Sequence, residues 1–224
     1  MSQRISEPQI NIRYWAAQYE ATADDDEIYD DAIEFHSTTI DRARSLWDWK
    51  DLSRGVPFEQ VEPVLSTLEF DEYLEKPPGD AVASLSSTLV EQGALETETV
   101  VAPAFILHLA DSSSEEYSSR FPIFDARCWK AFVFLTKRRE GDEKLPVGAT
   151  TSASRYGEFC QYFSQTLPEG VSGRQYEKAL FMFGGYIGRL PVKTIAEISD
   201  YLTAIERNVH EQIDTAGFAL IDSP

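Results

Sequence analysis

Apolar side chains along this chain recur at intervals of three and four, which restricts it to a fold of amphipathic helices. The plainest case lies near the C-terminus, where Ile195, Ile198, Leu202, Ile205, Val209 and Ile213 step 3, 4, 3, 4, 4 before Gly217. Leu180 and Phe183 share a stripe on a helix expected from about Tyr176 to Gly184-Gly185, and Tyr156, Phe159, Cys160 and Phe163 make another. The same pattern predicts helices over Ile10–Tyr19, Asp26–His36, Thr39–Asp51, Phe58–Leu74 and Asp80–Gln92, with buried helices at Val100–Ala110 and Ala126–Lys137. Pro77-Pro78-Gly79 breaks one helix and Asp80 suits the cap of the next, while 112–116 and 140–148 are polar enough for loops. No stretch sustains a period of two. The expectation is an all-α fold, a single globular domain over residues 1–224, with two helical lobes around a cleft as a variant.

Charge divides the chain where the spacing does not. Residues 1–119 hold 25 acidic and 7 basic side chains, which accounts for the whole net charge of −18, and residues 120–224 hold 13 of each. Asp24, Asp25, Asp26, Glu27, Asp30, Asp31 and Glu34 are the densest acidic run. Such a run serves either as a solvated helix face or as a docking surface for a basic protein or a nucleic-acid mimic. With a polar N-terminus and no apolar stretch near 20 residues, neither a signal peptide nor a membrane span is expected, and the expected location is cytoplasmic. In that setting Cys128 and Cys160 are expected as buried free thiols. His36, His108 and His210 lack metal-ligand spacing, and no phosphate-binding glycine motif or serine-nucleophile elbow occurs. Neither metal nor cofactor is therefore expected, and His108, in the run Phe105-Ile106-Leu107-His108-Leu109, reads as a core histidine.

The segment Arg120-Phe121-Pro122-Ile123-Phe124-Asp125-Ala126-Arg127-Cys128-Trp129-Lys130 carries the most chemistry. Pro122 favours an extended approach and Asp125 stands where an N-cap belongs, so free backbone N–H groups and the helix dipole hold its carboxylate as the anion. Capping alone accounts for that placement. A carboxylate so held beside a cleft also suits stabilising a developing cation or positioning water. Arg120, Arg127, Lys130, Lys137, Arg138, Arg139 and Lys144 cluster around it. They are read either as helix-end and ion-pair partners or as an anion-binding face. In Trp47-Asp48-Trp49-Lys50, two tryptophans two positions apart point different ways on a helix, which leaves at least one, such as Trp49, partly open to a base or a partner.

An apolar helix, a polar loop and then Phe121-Pro122-Ile123-Phe124-Asp125-Ala126-Arg127-Cys128-Trp129 resemble the helix–hairpin–helix DNA glycosylases, especially the 8-oxoguanine glycosylase-like proteins. On that resemblance Leu89–Thr97 is the hairpin, Val100–Ala110 its second helix, and Asp125 the aspartate that assists cleavage of the bond between base and sugar. The later helices, Tyr156–Phe163 and Arg174–Gly184, fit its closing helices, and Tyr14-Trp15 and Leu46–Arg54 fit its N-terminal part.

The chain departs from the family where bifunctional members carry a lysine nucleophile, since no lysine lies between Lys76 and Lys130. Only an amine forms a Schiff base, so the chemistry implied is lysine-independent. The hairpin retains Gly93 alone of its glycines, and Glu96 and Glu98 put negative charge where a DNA phosphate would sit. The functional expectation is a monofunctional N-glycosylase or nucleobase-processing protein, with Asp125 as its carboxylate, in DNA repair or bacterial antiviral defence. Nucleic acid or a nucleobase would meet Arg120, Arg127, Lys130, Lys137, Arg138, Arg139 and Trp49. The alternative is a non-catalytic helical module that binds a basic protein through Asp24, Asp25, Asp26 and Glu27.

Overall fold

Residues 10–21, 26–113, 116–137 and 142–206 are described by the computed structural model, and the expected helices account for most of them. The helices are α1 Ile12–Glu20, α2 Asp26–Phe35, α3 Thr39–Leu46, α4 Phe58–Leu65, α5 Asp71–Leu74, α6 Pro78–Glu91, α7 Val101–Asp111, α8 Ala126–Lys137, α9 Ala153–Thr166 and α10 Gly173–Arg189. One more, α11, occupies 195–206. Among the described residues the only extended pairing is an isolated antiparallel bridge between Lys144 and Thr194. The fold is all-α, in one domain. Residues 1–9, 22–25, 114–115, 138–141 and 207–224 lie outside the description, and with them Asp24, Asp25, Arg138, Arg139 and His210.

Local chemistry sets the helix starts. Asn11, Thr38, Ser152 and Ser172 each accept a backbone N–H from the first turn of their helix, and Ser172 with Gln175 completes a capping box on α10. Helix α6 begins at Pro78, two residues before Asp80. The fixed φ and missing N–H of proline suit the first helical position, so the residue read as a breaker is the start. The helix expected over Phe58–Leu74 is two. Ser66 and Thr67 turn their hydroxyls onto the carbonyls of Glu62 and Val64, which competes with continuation past Leu65. Helix α3 likewise stops at Leu46 and passes through turns and a short 3₁₀ segment, Leu52–Arg54. There Trp47 is buried, its indole N–H donating to the Val56 carbonyl at 2.8 Å, while Trp49 is half-buried.

Two interlocked groups of helices share the core. Helix α10 runs through one of them, packed between α1 and α8; in the other, α3 packs on α2, α4 and α7. Residues Ala102 to Leu109 of α7 are buried without a break, which leaves that helix no solvent face along them. Helices α6 and α9 cross where Gly79 meets Gly157. Arg42 fastens helix ends together, donating to the carbonyls of His36, Leu109 at 3.0 Å and Ser112 at 2.5 Å, where α2 and α7 run out of intrahelical partners.

Helix α10 does not end at Gly184-Gly185 but continues to Arg189. A methyl group at 184 would collide with the main-chain carbonyl of Arg127 on α8, whereas one at 185 would meet only the flexible Arg127 side chain, at 3.4 Å. Gly184 is therefore a close-approach residue and not a terminator. Gly184→Ala should lose about 1–3 kcal/mol of stability through overpacking. Gly185→Ala should be neutral or gain up to about 1 kcal/mol from helix propensity. Urea unfolding of the two variants beside the parent checks this, and equal effects at both positions would contradict it.

Candidate functional site

On α10 the charged residues Arg174, Glu177 and Lys178 stand at i, i+3 and i+4 and so share a face, and that face is turned inward. Arg174 exposes 11% of its side chain, Glu177 4% and Lys178 9%. Arg174 donates one guanidinium nitrogen to Glu177 and another to Asp26 at 2.7 Å, and Lys178 donates to the second oxygen of Asp26. Two cations and two carboxylates thus balance at the contact of α10 with the start of α2. Buried ions persist only when paired in this way.

Aromatic rings complete the surroundings. The Arg174 guanidinium carbon lies 4.4 Å from the centre of the Tyr29 ring and 5.6 Å from those of Tyr19 and Trp49. Burial alone would lower the Arg174 pKa, but Glu177 and the surrounding tyrosines reverse this and hold it raised. Burial likewise pushes Asp26 upward, yet the Lys178 hydrogen bond and the Arg174 charge prevail and keep it below the ordinary carboxylate range. Glu177 ends higher than an ordinary glutamate: its burial outweighs Arg174 and Lys50, and the Asp125 charge adds to the rise.

The network continues through neutral groups. Tyr29 Oη lies 2.7 Å from His108 Nε2, and His108 Nδ1 lies 2.8 Å from the Phe121 carbonyl. A carbonyl only accepts, so Nδ1 carries the proton and Nε2 accepts the Tyr29 hydroxyl. Burial, and the charges of Arg174, Lys50 and Arg42, bring the His108 pKa down to about 3 against the pull of the Phe121 carbonyl. The Tyr117 ring lies 4.8 Å from the imidazole, and its hydroxyl accepts the Ile123 N–H at 3.0 Å.

Asp125 caps α8. Its Oδ1 accepts the backbone N–H of Arg127 at 2.8 Å and of Cys128 at 2.9 Å. The residue is partly exposed, and its charge adds to the burial that raises the pKa values of Glu177 and Cys128. Cys128 and Cys160 are both free and buried, and burial raises both thiols, Cys160 to about 12.

Of the basic residues expected around Asp125, four have neighbours of their own among the described residues. Arg120 donates to the Lys76 carbonyl at 2.6 Å and lies over the Phe121 ring. Arg127 covers the Phe181 ring at 4.3 Å, Lys130 lies against the backbone of α10 near Gly188, and Lys137 pairs with Glu143 at 2.8 Å. Trp49 is stacked on Phe105 and near Tyr29 and Arg174, inside the network. Asp26, expected on an acidic docking face, turns inward, while Glu27 stays exposed. Exposed Glu96 and Glu98 follow Gly93, which ends α6 with φ of +76°.

Three clefts have described linings. One of about 460 Å³ is walled by Tyr29, Ile33 and Tyr117, with Arg174 in its lining and Asp30, Glu34 and Glu116 among the others. A second, of about 500 Å³, lies beside Ser118, Arg120, Cys160 and Ser164, and a third beside Phe132 and Tyr162. Asp125 lines none of these. Among the described residues no three metal-ligating side chains converge, and no helix is long and apolar enough to cross a membrane.

No protein-family profile, curated protein or solved structure matches the chain.

The depressed His108 pKa fixes a pH dependence. The folded state holds the imidazole neutral while the unfolded chain protonates near pH 6.5, so its contribution is complete above pH 6.5 and is lost as pH falls towards 3. Across that window the wild type should lose up to about 1.4 kcal/mol per pH unit more than His108→Gln. Urea unfolding of both proteins from pH 7 to 4 tests this. Parallel stability curves would show that His108 is not held neutral.

Proposed function

We propose that this chain is a lysine-independent N-glycosidic-bond hydrolase or nucleobase-processing protein in which Asp125 is the catalytic carboxylate. The observation that supports it is the setting of Asp125. One carboxylate oxygen is pinned by two backbone N–H groups, and the charge of the group acts on buried Glu177 and Cys128, whose pKa values are raised. A helix cap needs only the first of these; perturbed ionisable groups gathered in one place are a mark of functional sites.

In such a reaction the bond between the sugar C1′ and the base nitrogen breaks, and its electron pair leaves with the base, which takes up a proton. The Asp125 carboxylate stabilises the cation developing at C1′ and accepts a hydrogen bond from the incoming water. Water oxygen bonds C1′, its proton is released to solvent, and the products are free base and a hemiacetal sugar. The step requires no amine nucleophile, in keeping with the absence of lysine from Lys76 to Lys130. The acidic hairpin residues Glu96 and Glu98 oppose a duplex backbone, so single-stranded and mononucleoside substrates are favoured.

Asn caps helices as well as Asp, which makes Asp125→Asn a test of charge with the fold retained. Release of free base from duplex, single-stranded oligonucleotide and nucleosides, followed by mass spectrometry, should fall on the order of 10²-fold or more in the variant, with melting unchanged. Unaltered release in Asp125→Asn, or no release by the parent protein from any of the three, would remove this assignment.

A further inference from the structure

Helix α2 turns one side inward and presents the other to solvent. Tyr29, Ala32 and Ile33 are buried, and Asp26 is held inward by Arg174 and Lys178. Glu27, Ile28, Asp30, Asp31, Glu34 and Phe35 are exposed. Ile28, Asp31 and Phe35 stand at i, i+3 and i+7, so two apolar side chains share a line with a carboxylate between them. Phe35 is 70% exposed and Ile28 44%, although both are large and apolar. Rolling α2 to bury them would withdraw Asp26 and strand the two buried cations that it pairs. The ion pairs thus hold the apolar line to solvent.

The charges beside that line oppose their own helix. Glu27 with Asp31 and Asp30 with Glu34 are like-charge pairs at i, i+4, and α2 contains no basic residue. Glu34 also lies in the last turn, where the helix dipole disfavours an anion. Among the described residues no ion pair reaches any of these four carboxylates. Asp30 and Glu34 border the cleft of about 460 Å³, which exposed Glu116 also lines, so the negative sector continues beyond α2. A cation brought here relieves repulsion, and covering Ile28 and Phe35 takes apolar surface out of water.

The occupant that meets both needs is narrowly defined. Polyanions, nucleic acid and anionic lipid alike, are repelled. A second copy would bring the same carboxylates to a two-fold contact. A basic amphipathic helix is the complement, with lysine or arginine for the carboxylates and an apolar stripe for Ile28 and Phe35. We propose that the outer face of α2 docks a basic amphipathic segment of a protein partner, with Ile28 and Phe35 as the apolar contact and Glu27, Asp30, Asp31 and Glu34 as the charge-matching element. Asp26, part of the acidic run in the sequence, takes no part. The assignment does not depend on the role of Asp125.

Calorimetric titration of the full chain with a leucine–lysine peptide of about 14 residues, its leucines on one helical stripe, tests this. Saturable one-to-one binding is expected, weakening about tenfold between about 50 and about 300 mM salt. A peptide of the same composition without the stripe should bind about fivefold or more weakly. Phe35→Ser and Ile28→Ser should each weaken binding about fivefold, and Asp31→Lys about tenfold. Both apolar positions are already open to solvent, so these variants should melt as the parent does. Glu72→Lys makes the same change of charge on α5 and should cost less than about twofold. No saturable binding, no loss in either apolar variant, or equal losses in Asp31→Lys and Glu72→Lys would each overturn the proposal. So would dimerisation of the chain alone, seen by sedimentation and abolished in Phe35→Ser, because a second copy would then be the occupant. Asp125→Asn should bind the peptide as the parent does, which separates this face from the catalytic assignment.

Discussion

The buried Arg174 guanidinium is the constraint around which the rest is arranged. A cation held this deep is tolerable only if carboxylates are brought to it, and here they come from two places: Glu177 one turn along α10, and Asp26 at the start of α2. Satisfying the charge therefore fixes the position of α2 against α10. It also gathers Tyr19, Tyr29 and Trp49 around the guanidinium, and through Tyr29 it reaches His108 and the Phe121 carbonyl. Phe121 opens the segment that delivers Asp125 to the start of α8. One buried charge thus links the acidic N-terminal half to the part of the chain with the most pronounced chemical signature.

Electrostatics also narrow what the surface can receive. Arg120, Arg127 and Lys137 are engaged on a carbonyl, a ring and a carboxylate, while exposed Asp30, Glu34 and Glu116 line the cleft beside Arg174 and exposed Glu96 and Glu98 follow Gly93. A polyanionic duplex meets repulsion at both places, whereas a neutral heterocycle does not.

Helix positions were legible in the sequence because burial on one stripe imposes a period that composition does not disguise. What misled were residues with two uses. Gly184 reads as a stop but serves a close helix crossing, and Pro78 reads as a breaker but opens a helix. The cap at Asp125 was legible because capping is local: an acceptor, then free N–H groups two and three residues on. The Arg174 network was not, since Asp26 lies 148 positions from Arg174 and reads as one more charge in an acidic run. A signal did exist. Glu177 and Lys178 fall between Tyr176 and Leu180 on an amphipathic helix, which sets their charges next to its apolar stripe.

The most direct test of this arrangement is a double-mutant cycle on Arg174→Met and Glu177→Gln, read by urea unfolding at neutral pH. If the network is organised around the buried guanidinium, each single change strands a charge and should lose about 3–5 kcal/mol, while the double variant should lose at least about 2 kcal/mol less than the sum. Losses below about 1 kcal/mol that simply add would show that the two side chains are not coupled, and the account built on Arg174 would not stand.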